Sequence, residues 1–185
     1  MSPEVYARLR AEVAAAGYAG EIAWSGSIAP VNDADTFGRE FVFIVCNSGM
    51  KAQIARSIFE RVMVAVEAGA SAMTVFGHKG KAGAIDRVWH DRARHLAAYL
   101  RAGTPAAQLA YLESLPWIGG ITKWHLAKNF GLDVAKPDRH LVRVAAAYGL
   151  TVDGLCENLA KATGDRIATV DTVIWRACNL GLFVV

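Results

Sequence analysis

The chain is poor in the residues that build metal clusters, disulfide frameworks and membrane spans. Its 185 residues hold three cysteines, Cys46, Cys156 and Cys178, far apart and without a Cys-x-x-Cys pair. Three thiolates cannot complete a four-cysteine zinc or iron–sulfur site. A disulfide framework is not expected at this size, so a reducing cytosol fits the cysteine usage best. No apolar run approaches the roughly 20 residues that a membrane helix needs. Met1–Gly17 carries Glu4, Arg8, Arg10 and Glu12 and does not read as a signal peptide. The excess of positive charge is small, +3, and is weak evidence for a polyanionic partner, because a few basic side chains on one face outweigh the total. Beyond mild alanine enrichment there is no internal repeat or low-complexity tract.

What is present is apolar periodicity. With 54% hydrophobic and 20% charged residues, the chain has enough core for one domain or two tightly fused lobes. Ser2-Pro3 reads as cap and first helical residue, Val5, Leu9 and Val13 share a face, and Gly17 can end that helix. Tyr18–Asp35, with its Gly, Ser, Asn and Pro, reads as loop. Phe41–Cys46 is a buried strand or a buried helix, and its periodicity alone does not decide. Asn47-Ser48-Gly49 breaks it, and Lys51–Ala68 follows as a helix with Ile54, Ile58 and Val62 on one face. His78–Gly83 reads as a flexible basic loop. Ala84–Arg101 reads as one amphipathic helix with Ile85, Val88, Trp89, Leu96 and Leu100 inward. Thr104-Pro105 opens a helix through Leu109, Leu112 and Leu115, and Thr122–Phe130, Asp138–Tyr148, Thr151–Thr163 and Asp165–Asn179 complete an all-α chain. The short connections suit antiparallel neighbours.

The stretch Leu115–Lys123, LPWIGGITK, joins two of these helices. Pro116 stops the first. Gly119 and Gly120 can adopt positive φ and expose backbone N–H groups. Thr122 starts the second helix, whose N-terminus favours an anion such as phosphate, with Lys123 and Lys128 as nearby charges. An ordinary αα-hairpin turn uses the same residues. Asp138 then lies 19 residues after Gly119, in Lys136-Pro137-Asp138-Arg139-His140.

Hairpin, helix, glycine-containing turn and a Pro-Asp step opening a helix: over Leu115–Arg143 this order resembles the helix-hairpin-helix/Gly-Pro-Asp (HhH-GPD) superfamily of DNA glycosylases. A looser likeness extends to the whole helical layout, including Phe41–Ala68, whose Asn47–Gly49 break resembles the family's base-pocket and duplex-wedge loop. The resemblance implies two helical lobes with the active-site cleft between them, lobe one at about 36–135 and lobe two from 1–35 plus 136–185. It implies Trp117, Ile118, Gly119, Gly120, Thr122 and Lys123 on the DNA backbone and Asp138 as the catalytic carboxylate. A carboxylate there stabilises the oxocarbenium-like sugar or activates water. Asp138 as a plain helix N-cap is the alternative.

The base has to leave the stack to reach such a carboxylate. Asn47, Met50, Lys51 and Gln53 are pocket or wedge candidates, with helix-cap or ordinary surface roles as the alternative. Trp24, Trp89 and His90 are further pocket candidates, though core aromatics is the plainer reading. Lys136, Arg139 and His140, with Lys79, Lys81 and Arg143, are phosphate candidates or a solvated basic face. Two departures from the family pattern matter. Lyase-competent members carry a lysine two positions after the glycine matched by Gly119, where this chain has Ile121, which cannot form a Schiff base. Trp117 stands where the family hairpin has its first glycine, and packing under the hairpin is its expected role.

These residues together predict a monofunctional glycosylase that hydrolyses the N-glycosidic bond of a damaged, for example alkylated, base in duplex DNA and leaves an abasic site. It is expected to act as a monomer in the cytoplasm, without membrane or metal, with no cofactor beyond room for a monovalent cation at the hairpin. The alternatives are removal of bulky modified bases, such as glucosylated hydroxymethylcytosine, from phage DNA in antiviral defence, for which a glycine-rich loop at His78–Gly83 would leave room, a hairpin module that binds DNA without chemistry, and a lyase using an unexpected lysine.

Overall fold

The structure is a computed structural model that describes residues 1–184, the side chain of Ala52 excepted. It is all-helical, with no strand among the described residues. The chain divides into two compact units, Met1–Ala29 with Gly131–Val185, and Pro30–Phe130. The boundaries at Ala29 and Phe130 fall a few residues before those suggested by the sequence.

The contiguous unit, Pro30–Phe130, is organised on α3 (Ala34–Asn47), which packs against α4 (Ala52–Glu67), α5 (Lys79–His90), α6 (Arg92–Arg101) and α8 (Thr122–Asn129). Asp33 opens α3 by accepting a hydrogen bond from Thr36 N at 2.8 Å. Phe37, Phe41, Val42, Ile44 and Val45 of α3 are all buried. Partners on several sides explain the ambiguous run: Phe41–Cys46 is a buried helix, apolar nearly all round rather than striped. α7 (Pro105–Glu113) packs on α8, and Thr104 caps it.

Three readings in this unit need correction. His78–Gly83 is not a loop: α5 starts at Lys79, and Lys81, Ala82 and Gly83 are buried. A Cβ on Gly83 would lie 3.0 Å from Met73 Cε, the free end of a flexible side chain. Ala84–Arg101 is two helices, broken at Asp91. That break changes the face presented by the second helix, so Leu100 is exposed rather than inward.

The other unit is organised on α11 (Ile167–Asn179), against which α1 (Pro3–Val13), α2 (Ala19–Ser27), α9 (Arg139–Ala147) and α10 (Val152–Thr163) pack. Its core holds Tyr6, Leu9, Val13, Ile22, Leu141, Val144, Leu155, Leu159, Val173 and Ile174. α2 lies inside the stretch read as loop. Its own sequence is a weak helix former with two glycines, and it is held by burying Ile22 and Ser25, the latter 3.3 Å from Thr169 Oγ1. Gly17, at φ 97°, makes the bend between α1 and α2. Buried ends are tied across the unit: Arg176 grips Glu21 at 2.6 Å, and Arg166 donates to the carbonyls of Ile28 and Gly131.

Candidate nucleic-acid interface and carboxylate

The hairpin belongs to the contiguous unit and Asp138 to the other, so each is described in its own frame. Leu112, Leu115 and Ile118 are buried and anchor the hairpin. The left-handed residue is Trp117, at φ 65°, while neither Gly119 nor Gly120 has positive φ. The sequence pointed to the glycines for that conformation. The structure puts it at the position where the family pattern has glycine and this chain has tryptophan. A non-glycine side chain there costs about 1–2 kcal/mol, so neighbouring contacts have to hold it. They come from α5: Trp117 Nε1 donates to Gly80 O at 3.1 Å, and the His78 ring meets the indole edge-on at 5.0 Å. The indole packs beside the hairpin and remains 46% exposed.

The donors at the hairpin are also redistributed. Gly119 N is satisfied by Thr122 Oγ1 at 2.7 Å, so it is not available to a ligand. Among the described residues the N–H groups of Gly120 and Ile121 have no acceptor, and they stand at the head of α8, where orphan donors and the helix dipole favour an anion. Ile121 itself is 47% exposed. A shallow depression of about 480 Å³ is lined by Trp117, Ile118, Gly119, Gly120, Ile121, Thr122 and, from the α3–α4 turn, Ser48.

The basic candidates separate by environment. Lys123 reaches back to Glu113 at 2.6 Å, so its charge is already partnered. Lys128 is buried, which removes it from the surface. Lys79 is exposed; Lys81 is not, and its ammonium donates to Ser48 O at 2.5 Å. The Asn47 amide donates to Phe43 O at 2.8 Å and so closes α3, the plain role of a helix-end asparagine. Lys51 and Gln53 are exposed and Met50 is half-buried on the same turn and first turn of α4.

Asp138 is the N-cap of α9. Its Oδ1 accepts from His140 N at 2.9 Å and Leu141 N at 3.1 Å, while Oδ2 has no protein donor among the described residues. The cap fixes the carboxylate and leaves one oxygen uncommitted. Arg139 is exposed, Lys136 and His140 are half-buried, and His140 Nδ1 is buried without a partner. Cys178 is close by: burial pushes its thiol up, with Arg143 opposing and Asp138 reinforcing the shift. The sequence missed this neighbour because nothing in the spacing of Cys178 and Asp138 links them.

Another recess of the contiguous unit, about 800 Å³, is lined by residues that include Asp35, Arg39, Glu67, Asp86, Trp89, His90 and Arg92. Its arginines are neutralised, Arg39 by Glu67 and Arg92 by Asp35, so size does not make it an anion site. Trp89 there is half-buried beneath Arg92 and His90 is exposed, while Trp24 of α2 is 45% exposed. With α5 helical from Lys79, the room that a loop at His78–Gly83 would have left for a bulky base is gone. No group of three or more His, Cys, Asp or Glu among the described residues could hold a metal ion, and no described helix is long and apolar enough to cross a membrane. No family model, curated protein or solved structure matches the chain.

Proposed function

We propose that the protein is a monofunctional DNA glycosylase of the HhH-GPD type, its two units being the two lobes of that fold. The observation that carries the reading is Asp138: a carboxylate fixed through one oxygen by its own helix and open at the other. As the N-glycosidic bond breaks, positive charge grows on the sugar, and a fixed carboxylate stabilises it and orients the water that completes hydrolysis. The hairpin supports the partner. Gly120 and Ile121 offer unpartnered N–H groups to a phosphate without reading sequence. The target base is flipped from the duplex, with Met50, Lys51 and Gln53 as its candidate neighbours and Arg139, His140 and Lys136 as further phosphate contacts. Ile121, in place of an amine, limits the reaction to base removal. The substrate is a damaged base, alkylated purines first, and the enzyme works as a monomer on duplex DNA in the cytoplasm.

Mass spectrometry of bases released from alkylated, deaminated, oxidised and phage-modified duplexes tests this. One class of base is expected to be released with the strand intact. Binding without release from any duplex would leave only a non-catalytic hairpin module, in which Asp138 is a cap. Strand scission with a borohydride-trapped adduct would overturn the monofunctional reaction.

A further inference from the structure

The first turn of α5 touches both walls of the hairpin depression. From this one turn, Gly80 O holds the Trp117 indole at 3.1 Å, His78 packs on its edge, and Lys81 Nζ reaches Ser48 O at 2.5 Å. Ser48 and Trp117 both line the depression. The turn is itself closed by His78 Nδ1, which accepts from Lys81 N at 3.3 Å. Gly80 is required by the fit, because a Cβ there would lie 2.9 Å from Trp117 Cζ2.

Lys81 is costly where it stands. It is 5% exposed and forms no ion pair among the described residues. Its neighbour Cys46 supplies no counter-charge, since burial pushes that thiol up to about 11 and keeps it neutral. Burial correspondingly lowers the pKa of Lys81. An ammonium with a carbonyl as its partner is a poor stabiliser compared with an apolar side chain of similar length. Sites that sacrifice stability in this way are commonly ones where function needs the geometry.

We infer that residues 78–81 are a clamp that sets the DNA-binding surface of the hairpin, with Lys81 and Gly80 as positioning residues that hold the Ser48 carbonyl and the left-handed Trp117 without touching DNA themselves. The inference rests on the hairpin being a DNA-binding surface.

The test is Lys81→Met and, separately, Gly80→Ala, in the full chain, with binding of a short duplex carrying a tetrahydrofuran abasic-site analogue followed by fluorescence anisotropy from roughly 50 to 200 mM salt. Lys81→Met is expected to weaken binding about tenfold with an unchanged slope of log affinity against log salt, while Tm stays level or rises. Gly80→Ala, which displaces the indole and keeps the lysine, is expected to weaken binding in the same way. Affinity within twofold of wild type in both variants would overturn the clamp. So would a slope reduced by about one in Lys81→Met, the mark of a lysine on a phosphate. A drop in Tm with unchanged affinity of the folded protein would make Lys81 purely structural. Failure of the wild type to bind the duplex would instead sink the glycosylase reading, so the two failures appear in different arms.

Discussion

Replacing Asp138 by asparagine and by alanine separates the two things this side chain does. As a cap, Asp138 uses only Oδ1, on His140 N and Leu141 N. Asparagine offers the same acceptor and ranks with aspartate at this position. Its loss is the charge at the helix head, about 0.3–1 kcal/mol. Alanine removes the acceptor as well, about 1 kcal/mol for the cap alone. For a chain of this size each kcal/mol moves Tm by about 2–4 °C, so Asp138→Asn shifts Tm by roughly 1–4 °C and Asp138→Ala by clearly more. Catalysis follows the other order. A charge aimed at the developing oxocarbenium is lost equally in both variants, and about 10²–10³-fold in rate goes with it. The assay is single-turnover base release under saturating enzyme, with duplex affinity measured in parallel and expected to stay within several-fold of wild type. An asparagine variant that releases base within tenfold of wild type would show that Asp138 only caps α9 and that the chemistry, if any, lies elsewhere.

Other consequences are open to simpler measurements. Tyr6 is fully buried and its hydroxyl donates to Asp165 Oδ2 at 2.7 Å, so Tyr6→Phe should cost about 1.5 kcal/mol by urea denaturation; no change would mean that Arg10 Nε, 3.1 Å from the same oxygen, alone carries that contact. Gly38→Ala improves helix propensity by about 1 kcal/mol but places a Cβ 2.8 Å from Trp89 Cε3. Overpacking should win by about 1 kcal/mol or more, and a stabilised variant would refute the tight fit. Burial pushes the Glu40 carboxyl above its usual 4.5, against the opposing Asn129 amide and Arg39. The folded state then holds this proton more tightly than the unfolded chain. Its stabilisation is present at low pH and fades as pH rises through the raised value. Glu40→Gln, which stays neutral, should flatten the part of the stability profile that runs upward in pH from the usual carboxylate value of 4.5; an unaltered slope would exclude Glu40 as its source.

The helix starts were legible because caps are local chemistry. Ser2, Thr104, Asp138 and Thr151 each accept a hydrogen bond from the first turn that they precede. The hairpin and Asp138 were found in the same way, from proline, glycine and aspartate at fixed offsets. What failed was set by tertiary packing. α2 has little intrinsic helicity and is held by α11. The start of α5 looked like a loop because two glycines and three basic residues dominate it, and only the neighbouring Met73, Ser48 and Trp117 explain them. Trp117 in a left-handed turn contradicts its own conformational preference, so no local rule could place it there. The spacing that suggested bare glycine N–H groups was one residue early, because Thr122 claims Gly119.

The division of the chain carries a consequence for synthesis. The hairpin-bearing unit is one continuous segment, Pro30–Phe130, whereas the unit with Asp138 is stitched from two segments on either side of it. Tyr6, Leu9 and Val13 of α1 belong to a core completed by Val170, Val173 and Ile174 of α11, a helix that follows the whole intervening unit in the chain. Closing the roughly 150 residues between α1 and α11 costs on the order of 4 kcal/mol of chain entropy, to be met by that docking. During synthesis the hairpin is therefore complete before the carboxylate is seated, and the apolar face of α1 stays uncovered in the interval.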